Sequence, residues 1–222
     1  MEPETTETAK LPILDQVEIR VLGSLIEKSK TTPDYYPMTL NSLTAACNQK
    51  SSRNPVVEYD EATVVIALNS LKKAGLVAIA TGGTSRTIKY KHNFTMVYPI
   101  TSAELSVLCL LFLRGSLTGG EINSNAGRLH EFESLEEVLQ TLEKLSQHQP
   151  EFIKQLTKRH GQKEARYTHL FCEVIDNQEN ETLPEEPARK SVNELEARLI
   201  VVETELAHVK ESLEKLMKEL LG

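Results

Sequence analysis

The sequence has little of what metal sites, disulfide frameworks and membrane spans require. It has no tryptophan and three cysteines, none of them in a C-x-x-C pair, so neither a zinc site nor a disulfide framework is predicted. No apolar run approaches the about 18 residues that a membrane helix needs. Residues 1–8 are acidic and polar, unlike a signal or transit peptide, so we expect a soluble protein of the cytoplasm.

The residue patterns of common catalytic sites are missing as well. Residues 82–85, Gly-Gly-Thr-Ser, lack the lysine and the leading glycine of a phosphate loop. Residues 130–133 begin like a zinc-helix motif, but Ser134 stands where the second histidine ligand is required. The sequence has no nucleophile elbow and no clustered Cys–His pair. We therefore expect a non-enzymatic protein that uses neither a cofactor nor a metal.

What the sequence does contain is the same order of elements twice. The pattern Glu-Ile-x-Val-Leu-x-x-Leu at residues 18–25 returns as Glu-Leu-x-Val-Leu-x-x-Leu at residues 104–111, 86 positions later. The spacing predicts a capping box at the start of each copy, Asp15 with Glu18 and Thr101 with Glu104. Two further helical patterns and a hairpin follow in each copy. Three helices and then a hairpin is the order of a winged helix, so we predict a duplicated winged-helix domain.

The predicted fold is α+β but mostly α, with two tandem winged-helix domains and a C-terminal coiled-coil helix. We expect a disordered N-terminus at residues 1–13, a first domain at 14–98 and a second domain at 99–175. Residues 176–190 have low hydrophobicity and two prolines, which is typical of a flexible linker, here an acidic one. The coiled-coil helix is predicted at residues 191–221.

The C-terminal segment has the most regular apolar spacing in the chain. Its apolar residues recur at alternating intervals of three and four, a heptad pattern that predicts a homo-oligomer. The flanking charges favour a parallel pair, whereas the order of leucine and valine favours three or four strands. An amphipathic helix that folds back on its own domains is the alternative. The predicted oligomerisation residues are Val192, Leu195, Leu199, Val202, Leu206, Val209, Leu213, Leu216 and Leu220.

The net charge of −7 is unevenly distributed along the chain. Residues 11–100 carry ten Lys and Arg against seven Asp and Glu, and residues 101–175 carry eight against ten. Residues 176–222 carry six against twelve. Only the first domain is mildly basic, which is the balance expected of a domain that meets a polyanion.

The hairpins and the loop before the first domain's third helix hold the candidates for binding double-stranded DNA. A winged helix usually places its third helix in the major groove and lets the hairpin, or wing, contact phosphates. Clustered Lys and Arg neutralise phosphates, although solvated hairpin tips also collect such residues. The candidates are Asn48, Gln49, Lys50, Arg53, Arg86, Lys89, Lys91, Lys158, Arg159, Lys163 and Arg166.

The predicted third helices favour a different partner. Asp60 and Glu61 open the first, and Glu136 and Glu137 open the second; carboxylates there repel the phosphates that a free helix N-terminus attracts. The outer side of the first, around Ile66, is more apolar than a base-reading surface. The second hypothesis is therefore a docking adaptor that binds another protein through its third helices and does not bind DNA.

Short segments in both halves carry a resemblance to a known family. They are residues 25–28, 31–34, 36–41, 46–50 (Ala-Cys-Asn-Gln-Lys), 53–56 (Arg-Asn-Pro-Val), 113–115 and 166–171. In these segments the chain resembles the YceH-like family of bacterial proteins. The resemblance implies paired winged-helix domains and a bacterial cytosolic setting, and it implies no particular activity. Gly119 stands where the family more often has proline, so the start of the second domain's second helix is less firmly defined.

Overall fold

A computed structural model describes residues 11–80, 87–158 and 164–172. These residues are about half helical, with small antiparallel sheets, so the α+β class is as expected. None of the described helices is long and apolar enough to cross a bilayer. The linker, the coiled-coil stripe between Val192 and Leu220, and the candidates Arg86, Arg159 and Lys163 lie outside the described residues.

The first half contains three main helices and a three-stranded sheet. The predicted capping box is present, because the Asp15 carboxylate accepts from the Glu18 N–H and the Glu18 carboxylate accepts from the Asp15 N–H. Gly75 follows the third helix at φ +75°, in the left-handed region that glycine favours. The elements are α1 (Gln16–Thr31), a short 3-10 helix (Pro33–Tyr35), β1 (Met38–Thr39), α2 (Leu40–Cys47), α3 (Glu61–Lys73), β2 (Val77–Ile79), β3 (Lys89–His92) and α4 (Phe94–Val97).

The second half repeats this order. From its first strand onward, its helices and strands have the lengths of their counterparts, namely two, eight, thirteen, three and four residues. The strand orders also agree, β1-β3-β2 in one sheet and β4-β6-β5 in the other. The elements are α5 (Ser102–Arg114), β4 (Leu117–Thr118), α6 (Gly119–Ala126), α7 (Leu135–Gln147), β5 (Ile153–Gln155) and β6 (Arg166–His169).

The strand registers align the two halves residue by residue. Tyr90 pairs with Met38 in the first sheet, and Tyr167 pairs with Leu117 in the second. Lys89 and Tyr90 therefore occupy the same places in the first sheet as Arg166 and Tyr167 in the second. The strands β1 and β4 could not be predicted from the sequence, because two residues are too few to show the alternation of a strand.

The start of α6 is defined by a capping box that the sequence analysis missed. The Glu121 N–H donates to Oγ1 of Thr118, and the Thr118 N–H donates to the Glu121 carboxylate. Gly119 is the first helical residue, so the missing proline does not displace the boundary. A side chain at Gly119 would also crowd Leu139, since an added Cβ would lie 3.1 Å from Leu139 Cδ2.

Helices α1 and α5 lie at the centre of the described structure and pack against each other. Every residue from Glu18 to Ile26 in α1 and from Leu105 to Leu113 in α5 is buried. Helices at the edge of separate domains would leave one face to solvent. The buried residues of the two halves therefore form one continuous core. All described residues belong to one compact unit.

Helices α1 and α5 contact each other at equivalent positions of the repeat. Gly23 and Cys109 are separated by the 86 positions of the repeat, and the Cys109 thiol donates to the Gly23 carbonyl oxygen at 3.5 Å. An added Cβ at Gly23 would lie 2.9 Å from Leu113 Cδ2 and 3.0 Å from Phe112 Cβ. The repeated segments that reveal the duplication, residues 18–25 and 104–111, therefore lie where the halves meet.

An aromatic cluster joins the connecting segment to the second half. Phe94 of α4 contacts Phe112 and Phe171 with ring centroids 6.0 and 5.4 Å apart, and Tyr98 contacts Phe152 at 5.3 Å. Aromatic pairs at such distances add stabilisation beyond the burial of their area. The segment between the halves is therefore part of the core and not a free linker.

We expect Gly23→Ala to lower the stability of the whole described unit. The methyl group would overlap buried atoms of α5, and overpacking of this kind costs about 1–3 kcal/mol. Gly127→Ala is the matched control, because an added Cβ there meets nothing within 4 Å. Thermal unfolding measures both, and the expected fall for Gly23→Ala is about 2–4 °C per kcal/mol at this size. Equal Tm values for the two variants would show that the helices do not meet closely at Gly23.

Candidate nucleic-acid interface

The loop after α2 holds four of the DNA candidates, and three of them bind the protein itself. Asn48 ends α2, and its side chain donates to the Tyr59 carbonyl oxygen and accepts from the Tyr59 N–H, both at 2.8 Å. Its amide therefore closes the loop between α2 and α3. Lys50 is exposed and remains at the surface.

Arg53 has a fully buried guanidinium. Two of its nitrogens bind the two carboxylate oxygens of Glu27 at 3.0 and 2.7 Å, and it also donates to the Ala46 carbonyl oxygen at 2.9 Å. Gln49 completes this group, since its Oε1 accepts from Arg53 at 3.1 Å and from Lys28 at 3.2 Å. Paired nitrogens facing paired oxygens form the strongest geometry that a protein ion pair adopts.

The charge of Arg53 decides the ionisation of Glu27. Burial alone would raise the pKa of the Glu27 carboxyl, because a low-dielectric surrounding disfavours its charged form. The hydrogen bonds and the positive charge of Arg53 outweigh burial and hold this pKa below its usual range. Glu27 therefore stays ionised and keeps Arg53 in place.

A second buried arginine fastens the far end of the same loop. Arg20 of α1 donates to the Pro55 carbonyl oxygen at 2.6 Å and to the Cys47 carbonyl oxygen at 3.4 Å. The next residue back, Asn54, reaches the other half, where its N–H donates to the Leu113 carbonyl oxygen at 2.9 Å. The loop thus connects α1, α2 and the C-terminal end of α5.

These contacts alter the predicted DNA site. The side chains of Asn48, Gln49 and Arg53 form hydrogen bonds within the protein. The Arg53 side chain is also buried, so it has no access to a phosphate. Their assignment as DNA contacts is not supported by their positions. The Ala-Cys-Asn-Gln-Lys block at 46–50 is explained by the closure of this loop. The sequence shows that this loop is polar, but it does not show whether the polar side chains point inward.

The outward face of the first sheet carries two lysines. Side chains alternate across a strand, and Tyr90 and His92 of β3 face the core side, where Tyr90 packs against the buried cluster and the His92 ring lies 3.1 Å from the Ser29 hydroxyl. Lys89 and Lys91 therefore lie on the opposite, outward face. Burial, with a smaller contribution from Lys30, lowers the pKa of His92 to about 4, so His92 adds no charge to this surface at neutral pH.

The second sheet has an arginine at the position equivalent to Lys89. Arg166 donates to the Ser116 carbonyl oxygen at 2.8 Å and to the Glu121 carboxylate at 3.0 Å. Both side chains are about two-fifths exposed, so this pair is at the surface. Lys158 is exposed beyond β5. Arg166 is thus already partnered within the protein.

Each third helix begins at a capping side chain, and only the first of these is acidic. The Asp60 side chain accepts from the Thr63 N–H at 2.8 Å and begins α3, whereas the Ser134 side chain caps α7. Ile66 on the outer side of α3 is 71% exposed, and Leu139 on α7 is 46% exposed. An exposed apolar residue on the outer side of each third helix reduces the area that could read base edges.

A shallow cleft lies between the start of α5 and α7. Its volume is about 350 Å³, and it is lined by Glu104, His130, Gln140 and Lys144 among others. Glu104 is occupied by the capping box of α5. Among residues 11–80, 87–158 and 164–172, no three His, Cys, Asp or Glu side chains are grouped so that they could hold a metal ion.

Comparison with known proteins places the chain in a family. Residues 14–162 match the family described as "Protein of unknown function, DUF480". The match covers more than half of the chain, so the chain belongs to this family, and the resemblance to YceH-like bacterial proteins is confirmed.

Bacterial relatives called UPF0502 proteins align over most of their length. One from Opitutus terrae is 47% identical over 80% of this chain and 77% of its own. One from Aliivibrio fischeri is 41% identical over 94% of this chain and 98% of its own. A third, from Geobacter sulfurreducens, is 43% identical over 88% of this chain and 89% of its own.

We expect Arg53→Ala to destabilise the protein strongly. The substitution leaves Glu27 buried without its partner, and breaking a buried pair in this way costs about 3–5 kcal/mol. Lys50→Ala removes the same charge from an exposed site of the same loop, and its effect should stay within about 0.5 kcal/mol. Urea unfolding of both variants measures the difference. A wild-type free energy of unfolding for Arg53→Ala would contradict the internal role of this arginine.

Proposed function

We propose that each half is a winged-helix unit and that the chain is a non-enzymatic protein that binds double-stranded DNA through its wings. The observation that supports this proposal is the outward placement of Lys89 and Lys91 on one sheet face. Within the described part of the chain, neither lysine has a carboxylate partner. Two adjacent cations without partners are what a phosphate backbone attracts. Arg86 extends the same hairpin in the sequence.

The proposed contact is with the DNA backbone and not with the bases. Phosphate contacts position a protein on the duplex but carry no sequence information. The outer side of α3 contains Ile66 and begins with Asp60 and Glu61, which suits neither base edges nor phosphates. In this proposal the wings contact the DNA, and α3 does not have the recognition role that the third helix has in many winged helices.

The docking adaptor is the second candidate function. Its supporting observation is the exposure of Ile66 on α3 and of Leu139 on α7, at the outer sides of equivalent helices. Contiguous exposed apolar patches mark surfaces where another protein binds, although single exposed apolar residues occur on most surfaces. In this case the third helices meet a protein partner and the wings remain in solvent.

Self-association through the C-terminal heptads and a cytoplasmic setting complete the proposal. The heptads rest on the apolar spacing from Val192 to Leu220 in the sequence. A coiled coil would place two or more basic wings on one assembly. Two linked sites bind the same polymer more tightly than one, because the second contact becomes intramolecular.

The DNA proposal predicts strongly salt-dependent binding. Fluorescence anisotropy of the full chain with a random-sequence duplex should show log affinity falling linearly with log salt, by about 0.9 per phosphate contact. Changing Arg86, Lys89 and Lys91 together to Ala should flatten the slope by about one unit per lost contact. Lys144→Ala is the control, because it removes one positive charge from an exposed site of α7 away from the wing. A weak, salt-independent signal would favour the adaptor, which pull-downs from nuclease-treated lysate then test directly.

The proposed coiled coil predicts a change of mass on truncation. Light scattering of a chain that ends at Pro187 should give a smaller species than the full chain, because the heptads are removed. Leu206→Asp in the full chain should have the same effect, since it places a charge in the apolar stripe. The same number of subunits per particle in all three proteins would show that the stripe does not hold the assembly together.

A further inference from the structure

The outward faces of the two sheets are equivalent in backbone but different in charge. Lys89 pairs with Thr39 across β1 and β3, and Arg166 pairs with Thr118 across β4 and β6. Each cation therefore lies on the same side of its sheet, beside the threonine that caps the following helix. Any difference in how the two faces meet a polyanion must come from the residues around them.

The second face contains carboxylates next to its cation. Glu121 binds Arg166 at 3.0 Å. Glu164 also lies close to the start of α6, since a Cβ added at Gly120 would be 3.5 Å from its Oε2. Lys154 is on this face too, opposite Thr168. Two carboxylates and two cations leave this face close to neutral.

The first face has neither carboxylate. By the alignment of the halves, Ser42 takes the place of Glu121 and Thr87 takes the place of Glu164. Glu61 of α3 accepts a long hydrogen bond of 3.5 Å from Asn41 of α2. Among the described residues, Glu61 forms no ion pair with either Lys89 or Lys91. This face is therefore basic.

We infer that duplex DNA contacts the first sheet face and not the equivalent face of the second sheet, where Glu121 neutralises Arg166. The inference rests on the proposed function and narrows it to one of the two sheet faces. For Arg166 to bind a phosphate, it would have to leave Glu121, and the freed carboxylate would then face the DNA. A phosphate contact that exposes a like charge gains little.

Four variants of the full chain test this inference by anisotropy at low salt. Lys89→Gln with Lys91→Gln removes the basic face, and Arg166→Gln removes the equivalent cation of the second half. Glu121→Gln removes the negative charge that neutralises Arg166. It keeps a side-chain oxygen for the capping box, in which Gln can replace Glu. Lys144→Gln removes one charge from α7 as the control. Thermal unfolding of each variant shows that it is folded.

The expected pattern differs between the halves. The double lysine variant should bind at least about tenfold more weakly, and Arg166→Gln should match Lys144→Gln to within about twofold. Glu121→Gln should bind several-fold more tightly, because Arg166 becomes available. If Arg166→Gln weakens binding as much as the lysine variant, or if Glu121→Gln has wild-type affinity, the inference is overturned while DNA binding stands. Absence of salt-dependent binding by the wild-type chain overturns both.

Discussion

The close packing of α1 against α5 is the contact on which the rest of the described structure depends. Both helices are buried through their central turns, and burial of this extent is the main favourable term in folding. The contact requires Gly23, because any larger residue would meet Leu113 and Phe112. With α1 and α5 in place, the remaining helices and the two sheets lie around one shared core. The halves are therefore repeats in sequence and partners in structure.

The polar loop between α2 and α3 carries a second constraint. Arg20 and Arg53 place buried positive charge beside α1, and Glu27 compensates one of them. In α5 the positions equivalent to Arg20 and Glu27 are Ser106 and Leu113, so the second half has lost, or never had, this network. Buried charged groups are costly unless they are paired and hydrogen-bonded. The contacts of these two arginines hold the loop between α2 and α3 in place, which gives residues 46–56 a structural role.

Duplication followed by divergence explains how one backbone can present two different surfaces. The strand registers of the two sheets agree, so equivalent residues occupy equivalent places. Serine at one such place and glutamate at the other are enough to leave one sheet face basic and the other neutral. In the proposed function, the two sheet faces have the same backbone, and a few surface residues decide which of them contacts DNA.

Much of the local structure followed from the sequence alone. The capping boxes at Asp15 and Thr101 are local signals, because each depends on residues a few positions apart. Only the tertiary structure decided that the halves share a core, that Arg53 points inward and that Glu121 neutralises Arg166. These outcomes depend on residues separated by 26 to 86 positions. Side-chain direction and long-range pairing are set when the elements pack, and periodicity does not encode them.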